Sequence, residues 1–376
     1  AGTKHIPEQT LKVLERVGAG GGAMANGTTS FDRTNYFEVV PSTELPTALW
    51  VESERMGFLL EALTPTSLQV QRDVVSNERR QTYENRAYGT AHLRLCERLF
   101  PPPHPYSGCV IGNIAEIQAA SLDDVKGFFR QFYGPNNASL AVVGDFDSAT
   151  ARGLIEKYFA AIPRGPDVPR PDIAQPALAS EIRERLEDNV ATVPMLRIAW
   201  PGVRPYSAEE PAADTLARIL GQGPASRLRR RLVVDKQIAA SVYAGDDSAE
   251  LGGSFVVEVI HNAGHNTEEM LAATQEVLDD LREHGPTDAE VLRARRNAEA
   301  DLLRGLQGLG GFGGRADRLN EYFFFAKDPG YLPKDLARYR AVAAADVKAF
   351  AQKHLTDHRL ILDIEPHAAA APGAHP

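Results

Sequence analysis

The sequence is short of cysteine and of long apolar runs. Its 376 residues include 2 Cys, so Cys96 and Cys109 can form at most one disulfide. The pair suits reduced thiols and leaves the compartment open. No apolar stretch approaches the roughly 20 residues that a membrane-spanning helix needs, and the first residues have neither the basic start nor the apolar core of a signal peptide. The lack of a long apolar run argues against a membrane-spanning protein, whereas the lack of a signal peptide says little, because the chain also lacks an initiator Met.

Long basic runs are also missing. The net charge is -9, and Lys and Arg are scattered along the chain, which argues against a nucleic-acid-binding protein. The residues that are present, 43% hydrophobic and 24% charged, are typical of a soluble globular protein. The length is sufficient for two domains, each with a sizeable core.

The stretch 70–85, VQRDVVSNERRQTYEN, predicts the body of a long helix. Leu68, Gln71, Val75 and Glu78 recur at three- and four-residue spacing and are expected to share the packed face. Glu78 is the unusual member, because an unpaired carboxylate is costly to bury. Two interpretations stay open from the pattern alone: a pair with a neighbouring Arg, or a metal ligand. The positions predicted to be solvated are Arg72, Asp73, Asn77, Arg79 and Arg80.

The remaining chain alternates between helical and strand patterns. The predicted helices include 7–17, 43–63, 122–132, 149–161, 208–220, 267–283 and 288–306. The predicted strands are 28–40, 139–143, 182–186, 195–200, 239–244, 254–260 and 359–364. Glycine-rich loops are expected at 18–27 and 308–314, and a proline-rich loop at 100–108.

Two parts of the chain are copies of each other. The sequence DVKGF at 124–128 matches DVKAF at 346–350, and each is followed by an apolar stretch. A second set of matches upstream has nearly the same offset, 221 instead of 222, and aligns Glu78 with Glu299. A shift this constant indicates an internal repeat. The predicted organisation is a first repeat at 1–161, a Pro-rich linker at 162–178, a second repeat at 179–366 and a disordered tail at 367–376.

The second repeat begins with strands near residue 182, which would correspond to a position about 40 residues before Ala1. The first repeat is therefore expected to lack about 40 N-terminal residues, comprising two strands and a helix. A first repeat that is simply shorter is the alternative, although its sheet would then lack two strands.

Several motifs resemble the pitrilysin family of zinc metallopeptidases, and especially its branch with mitochondrial processing peptidase and bacterial relatives. They are GTKHIPE (2–8), ANGTTSFDRTNYFEVVP (25–41), QRDVVSNERRQ (71–81), GFGGRADRLNEY (311–322) and DPGYLPKDLARYR (328–340). The resemblance implies an α+β fold of two homologous α/β-sandwich repeats. In each repeat a mostly antiparallel sheet packs with helices, and the two repeats form half of a clamshell.

The resemblance also implies a Zn²⁺ site. In the family, an H-x-x-E-H motif just before the segment matching 1–3 supplies two zinc ligands and a Glu as the general base, and Glu78 matches the third ligand. The motif and its general base are therefore expected upstream of Ala1. Gln71 matches a position that supports the ligand shell.

The 376 residues themselves contain no H-x-x-E-H, so no general base is expected among them. His261 and His265 are four residues apart, but the residues 262–264 between them (NAG) predict a turn and surface histidines.

The strand that is entered by Asn26, Gly27, Thr28 and Thr29 matches the edge at which family members bind a peptide as an added β-strand. The alternative, from the residues alone, is that Asn26-Gly27 is merely a turn.

The second repeat is expected to contain no set of metal-ligating residues. The counterpart of the missing motif falls at 214–218 (DTLAR), which has no His, so Glu299 is expected to be a structural carboxylate. Many relatives carry an Arg and a Tyr that grip the substrate, but the matching positions here are Val233 and Ala240, which have no side-chain donor. The resemblance therefore implies a metal-free homologous partner subunit that supplies the Arg and Tyr in a heterodimer.

The leading functional hypothesis is a zinc-dependent endopeptidase subunit that cleaves presequence-like or unfolded peptides inside a closed chamber. The alternative is a non-catalytic scaffold or core subunit of the same fold. The resemblance suggests the bacterial cytoplasm or periplasm and leaves the substrate and cleavage preference open.

Overall fold

The computed structural model of the protein describes residues 2–367. Ala1 and, apart from His367, the predicted tail lie outside the described residues. The helices are α1 (Thr10–Arg16), α2 (Leu45–Ala62), α3 (Pro65–Arg79), α4 (Gly89–Leu99), α5 (Ile114–Ala119), α6 (Leu122–Phe132), α7 (Ser148–Phe159), α8 (Glu210–Gly221), α9 (Thr267–His284), α10 (Asp288–Gly305), α11 (Arg315–Glu321), α12 (Leu332–Ala341) and α13 (Ala344–His354). The strands are β1 (Ala25–Thr29), β2 (Thr34–Glu38), β3 (Ile182–Asp188), β4 (Met195–Pro201), β5 (Ala239–Asp247), β6 (Ser254–His261) and β7 (Leu360–Pro366).

The described residues also form three π-helical segments, Arg80–Glu84 after α3, Arg229–Asp235 before β5 and Tyr322–Ala326 after α11, and the 3₁₀ turns Ser42–Glu44 and Pro135–Asn137. Among helices within residues 2–367, none combines the length and apolar character that crossing a bilayer requires. The predicted α+β class is confirmed.

Two predicted strands differ from the structure. The stretch 28–40 is not one strand but the second half of a β1–β2 hairpin, and β1 begins inside the expected glycine-rich loop. Residues 139–143 do not form a strand at all. Leu140 is 48% exposed, because no described strand lies alongside this segment to pair with it.

The chain divides into two compact units, and each unit takes residues from both predicted repeats. Unit 1 contains the chain up to Ser76, then Gly112–Asp172 and Ala300–Pro333. Unit 2 contains Asn77–Ile111, Ile173–Glu299 and the chain from Lys334 onward. The segments 77–111 and 300–333 are thus exchanged, and their starts and ends differ by 223 and 222 residues. This shift nearly equals the repeat offset, so the exchanged segments are repeat counterparts. The boundaries predicted at 161 and 178 remain predictions.

Unit 2 is built on a five-stranded sheet with the order β3-β7-β4-β6-β5. The β3–β7 pair is parallel, and the other pairs are antiparallel. The β4 sequence MLRIAW is buried along its whole length, as expected for a central strand that is covered on both faces. Leu216 of α8, Met270 of α9 and Phe350 of α13 belong to the core cluster that includes Trp200.

Unit 1 has a two-stranded sheet and a smaller core. Val13 and Leu14 of α1 and Val51 of α2 pack with Ala25 of β1. Helix α6 begins with a capping box, in which Ser121 and Asp124 each accept a hydrogen bond from the other's backbone N–H. The hairpin, described below, contains the residues predicted from the sequence to bind a peptide as an added strand.

Candidate functional site

Helix α3 packs through a face that overlaps only in part with the predicted one, because Leu68 and Val75 are half-buried as expected. Ser76 is buried and accepts a hydrogen bond from Gln118 Nε2 at 3.0 Å. Arg72, predicted to be solvated, donates to the backbone carbonyl of Ala120. Gln71 and Glu78, predicted to pack, are exposed. The packed face of α3 therefore includes polar contacts that the spacing of apolar residues could not reveal.

The Glu78 carboxylate lies open on the surface of α3. Its arginine neighbours are directed elsewhere: Arg79 Nε donates to Glu84 at 3.0 Å, and Arg80 Nη1 donates to Asn77 at 3.1 Å. Within residues 2–367 no hydrogen bond or ion pair reaches this carboxylate. The interpretation of Glu78 as the partner of a neighbouring Arg is therefore wrong. Burial and the negative charge of Glu78 raise the pKa of nearby Tyr83, and the positive charge of Arg79 opposes this.

Glu299, the repeat counterpart of Glu78, is held in an ion pair. Arg340 Nε donates to Glu299 Oε2 at 3.2 Å, and a second guanidinium nitrogen contacts Oε1. The hydrogen bond from Arg340 lowers the pKa of Glu299. The expected structural role of Glu299 agrees with this arrangement.

The residues Asn26, Gly27, Thr28 and Thr29 lie within β1, and Asn26–Gly27 is not a turn. Asn26 pairs with Phe37 and Gly27 with Tyr36 in an antiparallel register, while the turn lies at 30–33, where Ser30 N donates to Arg33 O at 2.9 Å. Among the described strands, β1 pairs with β2 alone. Its other edge is therefore not paired with a described strand, and on β1 the Gly27 N–H donates to Asn26 Oδ1 at 2.8 Å.

Two second-repeat positions singled out from the sequence have no donor side chain. Val233 packs against the core of unit 2. Ala240 is exposed and lies where the register of β5 against β6 shifts, at a β-bulge. Asp214, at the start of the counterpart DTLAR motif, accepts a hydrogen bond from the Tyr339 hydroxyl, and burial raises the pKa of Asp214.

The predicted turn at 262–264 is present between β6 and α9. His265 is paired with Glu269, at 2.9 Å from Nδ1. His261, predicted to be on the surface, is instead 1% exposed, since it ends a strand whose side chains enter the core of unit 2.

The expectation of reduced thiols is wrong, because Cys96 and Cys109 form a disulfide with a Cα–Cα distance of 5.5 Å. Cys96 lies on α4 and Cys109 at the end of the following proline-rich loop. The sequence separation of 13 was compatible with a bond, but only the return of the loop against α4 brings the two sulfurs together.

A complete zinc site containing Glu78 is absent from residues 2–367. The one group of three potential ligands with ligand atoms within 4.8 Å in this part of the chain is His92, Cys96 and Cys109, and both cysteines are in the disulfide. An open carboxylate fits the zinc ligand expected at Glu78, and this part of the chain does not bring a second or third ligand to it.

The zinc motif and general base expected upstream of Ala1 stay a prediction. Ala1 itself lies outside the described residues, and the positions before it are not part of the 376-residue sequence. The first described residues do have a defined place: Thr3 Oγ1 donates to the buried Glu54 of α2 at 2.7 Å. The segment that follows the family's motif is therefore anchored to α2 in unit 1.

Comparison with known proteins places this fold among peptidases. The family model described as Peptidase M16 inactive domain matches residues 119–298. The zinc protease PqqE of Helicobacter pylori is 26% identical over 298 residues, which is 79% of this chain and 66% of that protein. This chain thus spans just under two thirds of the length of that relative.

Solved structures show the same fold. A protease from Helicobacter pylori superposes with a TM-score of 0.85 at 23% identity, covering 95% of this chain and 84% of that one. The first half of the periplasmic protease PqqL from Escherichia coli gives 0.75 at 18% identity, covering 97% and 80%. Fold and matches together define a peptidase-type α+β protein. The chain is similar to the pitrilysin, or M16, family, whose inactive-domain model matches just under half of it.

Proposed function

We propose that this chain is the zinc-binding subunit of an endopeptidase of the pitrilysin family, in its processing-peptidase branch. The observation that carries the proposal is the open carboxylate of Glu78, at the family's third ligand position. Gln71, two helical turns earlier on α3, supports the ligand shell. The other ligands and the general base would come from the family's H-x-x-E-H motif upstream of Ala1, which none of the 376 residues supplies.

The substrate proposed is an extended or unfolded peptide, presequence-like in character, that adds to β1 at Asn26–Thr29. Recognition through backbone hydrogen bonds suits an enzyme that reads extended shape more than sequence. The unpaired edge of β1 supports this mode.

A metal-free homologous subunit is the proposed partner, and the two would enclose the peptide in a closed chamber. Val233 and Ala240 occupy the positions at which many relatives carry the Arg and Tyr that grip the substrate, and neither can donate a hydrogen bond. These groups would therefore come from the partner in a heterodimer.

The periplasm is the compartment proposed, within the bacterial setting that the resemblance implies. The Cys96–Cys109 disulfide favours an oxidising compartment, because cytosolic thiols are kept reduced. The Escherichia coli protease with the similar first half is described as periplasmic.

The test uses the full-length gene product, with and without its partner. We expect about one zinc per chain by mass spectrometry and cleavage of a quenched fluorescent peptide that a chelator stops. Glu78→Gln should lower cleavage at least about 100-fold, since loss of a residue that only supports a ligand already costs 10- to 100-fold. Glu299→Gln is the matched control and should leave zinc content and cleavage unchanged. Cleavage that survives chelation and Glu78→Gln contradicts the proposal.

A second candidate is a non-catalytic scaffold subunit of the same fold. The match to a domain described as inactive and the residues Val233 and Ala240 favour it. A full-length gene product without H-x-x-E-H, without zinc and without activity beside its partner would establish this alternative.

A further inference from the structure

The β1–β2 hairpin has two faces with different surroundings in unit 1. Tyr36 points to one face, where the Arg55 guanidinium of α2 lies 3.7 Å from its ring centroid. Asn26 and Thr28 of β1 lie opposite Phe37 and Asn35 of β2. Because directly opposed residues project to the same side of a sheet, these four share the other face, called here the Phe37 face.

The glycine-rich segment 310–317 lies on the Phe37 face. The Phe312 ring meets the Phe37 ring edge-on, with a centroid distance of 4.9 Å. A Cβ on Gly310 would lie 2.9 Å from Val39 Cγ2, so a larger residue there would require the Val39 side chain to shift. Gly311 has φ +80°, and a Cβ there would lie 3.3 Å from the carbonyl oxygen of Ala23. The backbone next to Phe312 therefore approaches the start of β1.

Asp317 fastens the other end of this segment to the hairpin. Its carboxylate accepts from Asn35 Nδ2 at 3.1 Å and pairs with Arg33 at 3.2 Å. Arg33 in turn donates to Thr28 Oγ1 at 3.0 Å, and Gly313 N donates to Asp317 at 3.2 Å. These charge-assisted bonds fix the segment against both strands.

The result is an apolar surface beside an unpaired strand edge. Phe312 is 62% exposed although Phe37 supports one side of its ring, and Met24, directly before β1, is 46% exposed. Val39 N donates to Met24 O at 2.7 Å, which continues the hairpin register one residue beyond β1 and places Met24 on the same face as Asn26.

We propose that Phe312, supported by Phe37, forms a subsite for a large apolar side chain of the peptide that pairs with β1. This inference rests on the proposed function. Alternate side chains of an added strand point to one face of the extended sheet. Those on the Phe37 face meet Phe312 and Met24, which offer an aromatic and a flexible thioether surface. Asp317 is a positioning residue that holds this surface in place.

The test compares two peptides that differ at one position, Phe or Ala, on the full-length gene product with its partner. We expect a preference for the Phe peptide of about 10-fold in kcat/KM, the size that apolar pockets provide. Phe312→Ala should abolish the preference by slowing cleavage of the Phe peptide alone, and Phe312→Leu should keep most of it. Phe323→Ala, at another exposed phenylalanine (50%) of unit 1, is the control and should change neither rate.

A binding measurement separates this inference from the proposed function. Anisotropy of labelled peptides with the Glu78→Gln protein should show the same preference and the same loss with Phe312→Ala. A preference that Phe312→Ala leaves intact, in cleavage or in binding, overturns the subsite and leaves the proposed peptidase standing. A wild-type protein that binds with this preference yet never cleaves overturns the peptidase and leaves the subsite.

Discussion

Helices α3 and α10 are counterparts in the repeat, yet the glutamates at their equivalent positions have different surroundings. Glu299 on α10 is neutralised by the Arg340 guanidinium. Glu78 on α3 has arginines on its own helix and π-turn, but they bond to Glu84 and Asn77. Glu78 avoids the cost of burial by staying in water, so it needs no protein partner. An acid at equivalent positions of a repeat can thus be structural in one copy and available to a ligand in the other.

The two copies also differ after the matching helices α6 and α13. In the second copy, β7 lies between β3 and β4, and Leu362 is fully buried. In the first copy, the counterpart of Leu362 is Leu140, which is 48% exposed. Similar local sequence gives a strand in one place and an unpaired segment in the other, because strand formation depends on neighbouring strands more than on local propensity.

The largest expected effect comes from this pair of leucines. Leu362→Ala should lower the free energy of unfolding by about 2–5 kcal/mol, since it leaves a cavity beside β4. Leu140→Ala is the matched change at the equivalent position and should fall within about 0.5 kcal/mol of the wild type. Urea unfolding of the 376-residue chain measures both.

Equal losses of unfolding free energy in the two leucine variants would contradict this difference between the copies, because they would require Leu140 to pack as a core strand residue. A loss confined to Leu362→Ala would support the conclusion that only the second copy packs this leucine in a core.

A smaller effect concerns carboxylates that both copies bury. Burial raises the pKa of Glu38 on β2 to about 8, helped by the negative charge of Glu52, and burial raises the pKa of Asp246 on β5 to about 8. The folded protein then binds more protons than the unfolded chain, so stability is lost as the pH rises toward 8. Glu38→Gln and Asp246→Asn should each stabilise the protein at pH 8 by on the order of 1 kcal/mol or more, with no gain below about pH 4, where the unfolded carboxyls are also protonated.

The measurement for these two variants is urea unfolding at acid, intermediate and mildly alkaline pH (about 4, 6 and 8, spanning the unfolded and folded pKa values), with exposed Glu61→Gln as the control. A gain at the highest pH for one variant and not the other would show that the two copies differ in how they tolerate buried charge. A gain that persists unchanged at the lowest pH would assign the effect to packing instead of ionisation.

Most helices and the strands of unit 2 could be predicted from the sequence, because their patterns are long and periodic. Helix α6 was predicted at 122–132 and lies at Leu122–Phe132. Errors concentrate where tertiary partners decide. The β1–β2 turn was missed because Ser30–Arg33 contains no glycine or proline. The strand predicted at 139–143 does not form, because no described strand lies beside it to pair with it.

The site shows a similar division. The repeat and the family motifs led to Glu78, but the reason given from its pattern, a packed face, was wrong. The exchange of segments 77–111 and 300–333 between units was invisible to the sequence, since it depends on which unit each segment packs against. For the same reason, the motif at 311–322 was recognised, while the contact of Phe312 with Phe37 was not.

The smallest expected effect comes from freeing Glu299. Arg340→Ala leaves that carboxylate as open as Glu78, and the thermal midpoint should not move beyond error, because Arg340 is 56% exposed and solvent screens such pairs. The variant should also bind no additional zinc, since the counterpart motif at Asp214 offers no histidine. Calorimetry and metal analysis check both results. An added zinc in Arg340→Ala would mean that Arg340 suppresses a second metal site, and the two copies would then differ by a single ion pair and not by the absence of ligands.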